Sequence, residues 1–367
     1  MGLYLAAIES YLARFAGAPV SIERMCELGG ESADTAALKA FGYGKPLRID
    51  YRVRRSGAAL EQVVLRRVSG NGFGRERMSD RAGEVWLDYE TFSRLPRHCR
   101  ARDMAVLARD GSLRSVADAE ELVLLTDYAP GTLYAADLKR LSGEARATPL
   151  DRERAEALAS YLAAIHAVKH DDPLLWRRRL RDLVGHGEGI MGLADSYAPD
   201  YAVVPPAELR ALEAAANEWR WRLKPLAHRL AQVHGDFHPF NVLFAEGRDF
   251  VVLDRSRGAW GEPADDVSAM TINYIFFSLQ RSGRLEAAFA ELHQAFWTRY
   301  LAERDDPQLV AVIQPWLAWR VLVLASPQWY PTIADAARRQ LMRFAFNVMA
   351  EPSYAWAEVN RYLEAGQ

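Results

Sequence analysis

The spacing of apolar and polar residues changes once along this chain. In the first third, Pro46–Val53 (PLRIDYRV) alternates apolar with polar, and Glu61–Val68 (EQVVLRRV) is a second β-rich run, with Arg55–Ala58 suited to a turn between them. Over Ser79–Leu95 the spacing becomes helical: Ala82, Val85, Trp86, Tyr89 and Phe92 share one side, and Ser79 is placed to cap the start. Two more strands are predicted at Met104–Ala108 and Glu121–Thr126, with the turn sequence ARDGS after the first. Near Tyr128–Gly131 the pattern shifts, and from Asp151 onward helical periodicity dominates, over Glu153–Val168, Pro206–Leu230, Met270–Leu279, Arg284–Leu301 and Gln308–Leu324. Pro225 and Pro315 fall inside two of these spans and are predicted to kink or divide them. One hairpin interrupts the helices, with strands Val242–Phe244 and Phe250–Leu253 joined by Ala245–Asp249. The expected class is α+β, with a β-rich N-terminal lobe over residues 1–127, a linker near Asp127, and a mainly helical lobe over 128–367.

Composition agrees with two lobes, since 367 residues exceed what one core usually supports. A formal net charge of -2 and a pI near 6.5 leave no global field that would draw the chain to nucleic acid or to an acidic membrane. Two cysteines, Cys26 and Cys99, make no disulfide framework. Leu5, Ile8, Leu12 and Phe15 are spaced as a helix face that Glu9 keeps from being a signal peptide, and Ala6 stands where myristoylation wants Ser or Thr. No run approaches the length of a membrane span, so a cytoplasmic protein is expected. The pattern is silent on oligomeric state.

The stretch that carries chemistry is QVHGDFHPFNVLFAEGRDFVVLDRSRGAWGEPADDVSAM, from Gln232 to Met270. Asp236 follows His234-Gly235, Asn241 comes five residues later, and Asp254 ends the second hairpin strand. Phosphoryl transfer to a hydroxyl needs a group to orient the alcohol and take its proton, and oxygen ligands for Mg2+, only one or two of them from protein. Asp236 suits the first task, and the Asn241 amide and Asp254 carboxylate suit the second. The Asp-to-Asn spacing is that of a kinase catalytic loop. Singly, each residue is as well explained by a polar turn or a strand end; the ordered set, with the hairpin between, is not.

HGDFHPFNVLF followed by VVLDRSRGAWGEPADDV resembles the aminoglycoside phosphotransferase and choline kinase group, which has the bilobal protein-kinase-like fold. The resemblance implies a small-molecule kinase with Asp236 as base, Asn241 and Asp254 holding Mg2+, ATP or GTP as co-substrate, and Asp266 bracing the loop from a following helix. It departs from the group after Asp254, where Arg255-Ser256 replaces a more usual aromatic and acidic pair.

For the phosphates, a glycine-rich loop is expected at Phe41-Gly42-Tyr43-Gly44-Lys45, with Gly42 and Gly44 close to phosphate and Lys45 adding charge; Gly29-Gly30 and Gly70–Gly74 compete, and each also reads as a plain turn. Arg66 stands where this fold usually has a strand lysine, with Glu84, Asp88 and Glu90 as candidate helix partners, or it is simply a strand-end charge. His166 and His238 read as structural. The acceptor is a small alcohol or amino alcohol. Trp316, Trp319, Trp329, Tyr330, Tyr274, Phe276 and Phe277 form either an aromatic wall or core, and Arg177–Arg181 either an anion site or a solvated helix face. The alternatives are a nucleotide-binding pseudokinase with a regulatory or scaffold role and, ranked last because no APE-like segment is present, a protein kinase.

Overall fold

A computed structural model describes residues 5–28, 46–94, 96 and 99–364. The chain divides into two compact units, Met1–Thr126 and Asp127–Gln367.

In the first unit, α1 (Leu5–Ala16) lies on an antiparallel sheet of β1 (Val20–Glu27), β2 (Leu47–Val53) and β3 (Glu61–Leu65), in spatial order β1-β2-β3. The alternation in β2 decides its facing. Ile49, Tyr51 and Val53 are buried with Ile8 and Leu12 of α1, while Arg52 stays in water. The register pairs Val20 with Val53 and Leu47 with Leu65. Next comes α2 (Met78–Phe92), which starts one residue before Ser79, so Ser79 is not its cap. The Asp80 carboxylate instead accepts the Arg77 N–H at 2.8 Å, the reach-back half of a capping box. A short hairpin of β4 (Ala105–Leu107) and β5 (Leu113–Ser115) follows the predicted first strand and turn. The strand predicted over Glu121–Thr126 does not form. Leu122, Val123, Leu124 and Leu125 are between 72% and 97% exposed, and this run has no ladder partner among the described residues. Composition gives a run its β propensity, but only a neighbouring strand makes it a strand.

The second unit opens with β6 (Thr132–Leu133), α3 (Tyr134–Leu141) and α4 (Pro149–His166). It continues through α5 (Pro173–Gly185), α6 (Ile190–Asp195), α7 (Pro206–Leu223) and β7 (Ala231–Gln232). Both prolines divide helices as expected. Helix α7 stops two residues before Pro225, and Pro315 opens α11 (Gln314–Ala325) just after α10 (Leu309–Val312) ends. The hairpin forms as β8 (Val242–Phe244) and β9 (Phe250–Val252), paired Val242 to Val252, and β6 adds a third strand on β8. Two-residue β10 (Trp260–Gly261) pairs with β7 and leads into α8 (Pro263–Ser282). Helix α8 begins seven residues before the predicted Met270. Pro263 occupies its first turn and the Glu262 side chain accepts the Ala264 N–H, which places Asp265 and Asp266 at the helix N-terminus. Helices α9 (Ala287–Glu303) and α12 (Asp335–Ala350) complete a core that buries Leu158, Leu162, Trp176, Phe237, Met270, Tyr274, Phe296, Trp297 and Leu317.

The α8 start is also tied down by charge. Arg229 is buried and forks onto Glu262 at 2.5 and 2.9 Å and onto Asp306 at 2.7 and 2.9 Å. Arg229→Met leaves two buried carboxylates without their cation and is expected to cost about 3–5 kcal/mol. Urea unfolding at pH 7 measures this, and a loss under roughly 1 kcal/mol would contradict the triad's part in holding α8.

Candidate active site

The loop from His234 to Asn241 is fixed mainly through its backbone. Asp266, fully buried in the first turn of α8, accepts the His234 N–H and the Gly235 N–H, both at 2.7 Å. Its Oδ2 also meets His166 Nε2 at 3.2 Å, while His166 Nδ1 pairs with the Tyr300 hydroxyl at 2.8 Å. His166 is therefore a satisfied core histidine, and its task is to hold Asp266. Burial raises the Asp266 carboxyl, but the bonds from His166, His234 and Gly235 hold it below the usual range. Gly235 has φ +89°, a conformation that side chains resist. It turns the chain so that Asp236 leaves the loop on one side while Phe237 plugs into the core, stacked on Tyr161 at 5.7 Å.

Around Asp236 the structure gathers residues from distant segments. Asp236 Oδ1 takes Arg257 Nη1 at 2.5 Å and Arg320 Nη1 at 2.8 Å. Its Oδ2 faces His238 Nε2 at 3.6 Å. His238 Nδ1 accepts the Phe240 N–H at 3.2 Å, which leaves the ring proton on Nε2, toward Asp236. Burial alone would raise the Asp236 carboxyl; His238, Arg320 and Arg257 overcome this and hold it far below the usual carboxylate range. Arg320 also bonds Asp265, and Arg179 of α5 reaches Asp265 at 3.1 Å and the Arg257 carbonyl at 2.8 Å. The Trp319 ring carries both guanidiniums, Arg320 at 4.1 Å and Arg257 at 4.8 Å from its centroid. Tyr330 lies in the same field, pushed up by burial and then by Asp236.

Several sequence ambiguities resolve here. Tyr274, Phe276 and Trp316 are core, Trp329 is exposed, and Trp319 backs the arginines. The basic run in α5 is mixed: Arg177 and Arg181 face solvent, Arg178 pairs with Asp182, and Arg179 enters the Asp236 cluster. Arg257 and Arg320 were not singled out by the sequence. Arg257 has a visible signal, a basic residue three positions after Asp254, whereas Arg320 sits in an apolar helix with none.

The metal-candidate pair lies at one end of the β8–β9 hairpin. The Leu253 N–H bonds the Asn241 carbonyl at 2.8 Å, extending the ladder to the residue before Asp254. Asn241 Nδ2 donates to the Asp236 carbonyl at 3.1 Å, so its Oδ1 is the atom left for a ligand. Asp254 is exposed, has φ +55°, and makes no hydrogen bond or ion pair among the described residues. A left-handed aspartate with an uncommitted carboxylate, beside an amide whose oxygen is turned free, fits a hard cation that draws its other ligands from phosphates and water.

In the N-terminal unit, Arg66 follows β3 and its fork meets Asp88 at 2.9 Å and Glu84 at 3.0 Å, both on α2. Glu90 is not a partner; it accepts the Trp86 indole N–H. Gly42, Gly44 and Lys45 lie outside the described residues.

Strands that lead to a helical unit, and a loop-hairpin-carboxylate constellation at its centre, define a protein of the protein-kinase-like class. The model of the phosphotransferase enzyme family matches residues 104–309, more than half of the sequence, and the chain belongs to that family. No curated protein sequence matches it. Among solved structures it is similar to an amicoumacin kinase in complex with AMP-PNP and Ca2+, at 14% identity over 96% of this chain and 97% of that one, with a TM-score of 0.41. An ethanolamine kinase of Plasmodium vivax is 11% identical over 93% of this chain and 80% of that one, TM-score 0.35. A choline kinase of Cryptosporidium parvum is 9% identical over 93% and 87%, TM-score 0.33. No helix among the described residues is long and apolar enough to cross a membrane.

Asp266→Asn tests the loop brace, because it keeps the shape and removes the acceptor charge. The expected loss is roughly 3 kcal/mol at pH 7. Because the folded carboxyl is held low, its contribution is complete above the unfolded pKa near 4 and fades as pH falls through the folded value, so the gap between wild type and variant narrows in acid. Equal gaps in urea unfolding at pH 7 and at about pH 2.5 would show that the charge on Asp266 is not what holds the loop.

Proposed function

We propose that this protein is a cytoplasmic small-molecule kinase that transfers the γ-phosphoryl group of Mg-ATP or Mg-GTP to the hydroxyl of a small alcohol or amino alcohol. The observation that carries the proposal is the Asn241 amide oxygen and the uncommitted Asp254 carboxylate at one hairpin end, joined through a side-chain bond to the loop bearing Asp236. Asn241 and Asp254 would hold Mg2+, whose chemistry is to neutralise charge on the phosphates. Asp236 orients the acceptor. Both arginines sit on Oδ1, so Oδ2, which among the described residues faces only His238 Nε2 at 3.6 Å, is the oxygen that would meet the hydroxyl. The acceptor oxygen bonds to the γ-phosphorus, the bond to the β,γ-bridging oxygen breaks, the nucleoside diphosphate departs, and the proton passes to Asp236. Residues 1–127 would serve the nucleotide, with Gly42, Gly44 and Lys45 at the phosphates and Arg66 braced by Glu84 and Asp88 as a phosphate-binding cation. Residues 128–367 would carry catalysis and the acceptor.

A second reading draws on one specific observation. The ion pairing of Asp236 with Arg257 and Arg320 makes it a weak base, as a non-catalytic nucleotide-binding pseudokinase would tolerate. Turnover separates the two. Asp236→Ala is expected to lower magnesium-dependent phosphoryl transfer by about 10²–10⁴-fold, and equal slow nucleotide turnover in wild type and variant would favour the pseudokinase. Asp254→Ala should abolish the magnesium dependence; undiminished activity would place the ion elsewhere. Arg66→Ala is expected to raise the nucleotide KM by roughly tenfold or more, with Arg66→Lys largely restoring it, and an unchanged KM in the alanine variant rules out a phosphate contact.

A further inference from the structure

We propose that the second unit carries a further binding site, on α9, for a small, neutral, flat molecule with a carbonyl oxygen, such as a heteroaromatic amide. A cavity of about 440 Å3 lies between α9 and the segment 356–362, with Ala290, His293, Trp356, Val359, Asn360 and Arg361 in its wall. That volume is in the range of small-molecule sites. The cavity shares no lining residue with the cluster around Asp236.

His293 supplies the recognition. It is 3% exposed, and one hydrogen bond fixes its tautomer. An indole N–H only donates, and that of Trp297 reaches His293 Nε2 at 3.1 Å, so Nε2 is the acceptor and the ring proton sits on Nδ1. Burial pushes the imidazole down to about 3 and so keeps it neutral at pH 7. Nδ1 has no partner among the described residues and is not fully enclosed, so its N–H opens on the cavity that the residue lines. A donor left unanswered in so buried a position is costly, and a ligand oxygen placed on it removes that cost.

The neighbouring groups narrow the class. Asn360 spends its amide on Leu285, accepting the N–H at 2.8 Å and donating to the carbonyl at 3.0 Å. Arg361 is answered by Glu351 at 3.2 Å and Glu358 at 3.5 Å, and the exposed Glu364 adds another carboxylate to the wall. An anion would therefore meet an excess of negative charge, while a cation brought to Nδ1 would meet a donor. A neutral carbonyl oxygen meets neither penalty. Trp356 stacks on Trp297 with centroids 5.8 Å apart and planes 13° from parallel, so the wall next to the donor is an indole, against which a flat ring packs well.

The test is a ligand-observed NMR titration of the full chain with nicotinamide and uracil as probes, and with toluene, benzoate and benzylamine as rings that lack a neutral carbonyl. The expected result is saturable binding of nicotinamide or uracil, with the other three weaker by roughly tenfold or more. His293→Leu should weaken the bound probe about tenfold, and His293→Asn, whose amide N–H stands where Nδ1–H does, should keep most of the affinity. Both variants deprive Trp297 of its acceptor, so the comparison isolates the donor on the cavity side. Ala290→Phe fills the cavity from α9 without removing a side-chain hydrogen bond and should abolish binding; it decides alone where the histidine variants do not fold. Absence of binding by both probes overturns the inference. Binding that survives Ala290→Phe, equal losses in His293→Leu and His293→Asn, or a preference for toluene, benzoate or benzylamine overturns it as well.

Discussion

The site depends on two adjacent buried carboxylates at the start of α8 that face in different directions. Consecutive helical residues project about 100° apart, so Asp265 and Asp266 address different neighbours from one turn. Asp266 takes the amides of the His234–Gly235 loop, and Asp265 takes Arg320 and Arg179. Two like charges side by side in a core would repel, and three features offset this. The helix N-terminus favours negative charge, the amides spread one charge over fixed dipoles, and the guanidiniums neutralise the other. Upstream, Glu262 caps the same turn while gripping Arg229, so the start of α8 is fixed before the site residues begin.

The state of Asp236 follows from that arrangement. Arg320 is shared between Asp236 and Asp265, so the cation that neutralises the helix start also suppresses the basicity of the loop carboxylate. A strong resting base is not what phosphoryl transfer requires. In a loose transition state the acceptor proton is lost late, and most of the rate comes from positioning and charge stabilisation. A carboxylate held by two guanidiniums through Oδ1, with Oδ2 facing His238 at 3.6 Å, can orient a hydroxyl even though it binds protons weakly.

The sequence made the metal-candidate hairpin and the Asp236 loop legible because both are local: their spacing, the apolar strand pair and the intervening turn lie within one short stretch, and the backbone ladder realises them directly. The proline divisions were legible for the same reason. The arginine cluster was not. Arg179, Arg257 and Arg320 come from α5, the segment after β9 and α11, and no periodicity links residues that meet only after the helices pack. Residues 121–126 are the opposite case, where the local β propensity is real but no ladder partner lies among the described residues. The start of α8 lies ahead of the helical pattern because its first turn is polar, and the spacing of apolar residues carries no trace of a turn whose buried groups are carboxylates satisfied by distant donors.

The two sides of the site are therefore built by different means. The hairpin end is set by the backbone bond from Leu253 to Asn241, and the loop before it by the Asp266 carboxylate on its amides. The surroundings of Asp236 are set by guanidiniums that tie carboxylates and loop carbonyls together. Arg255 and Ser256 stand after Asp254, where an aromatic and an acidic residue are more usual in the resembling group, and Arg255 bonds the Val233 and Ala259 carbonyls while the hairpin ladder stays intact. The hairpin and the Asp236 cluster therefore share the loop but not the forces that hold it, so a substitution in one can leave the geometry of the other in place.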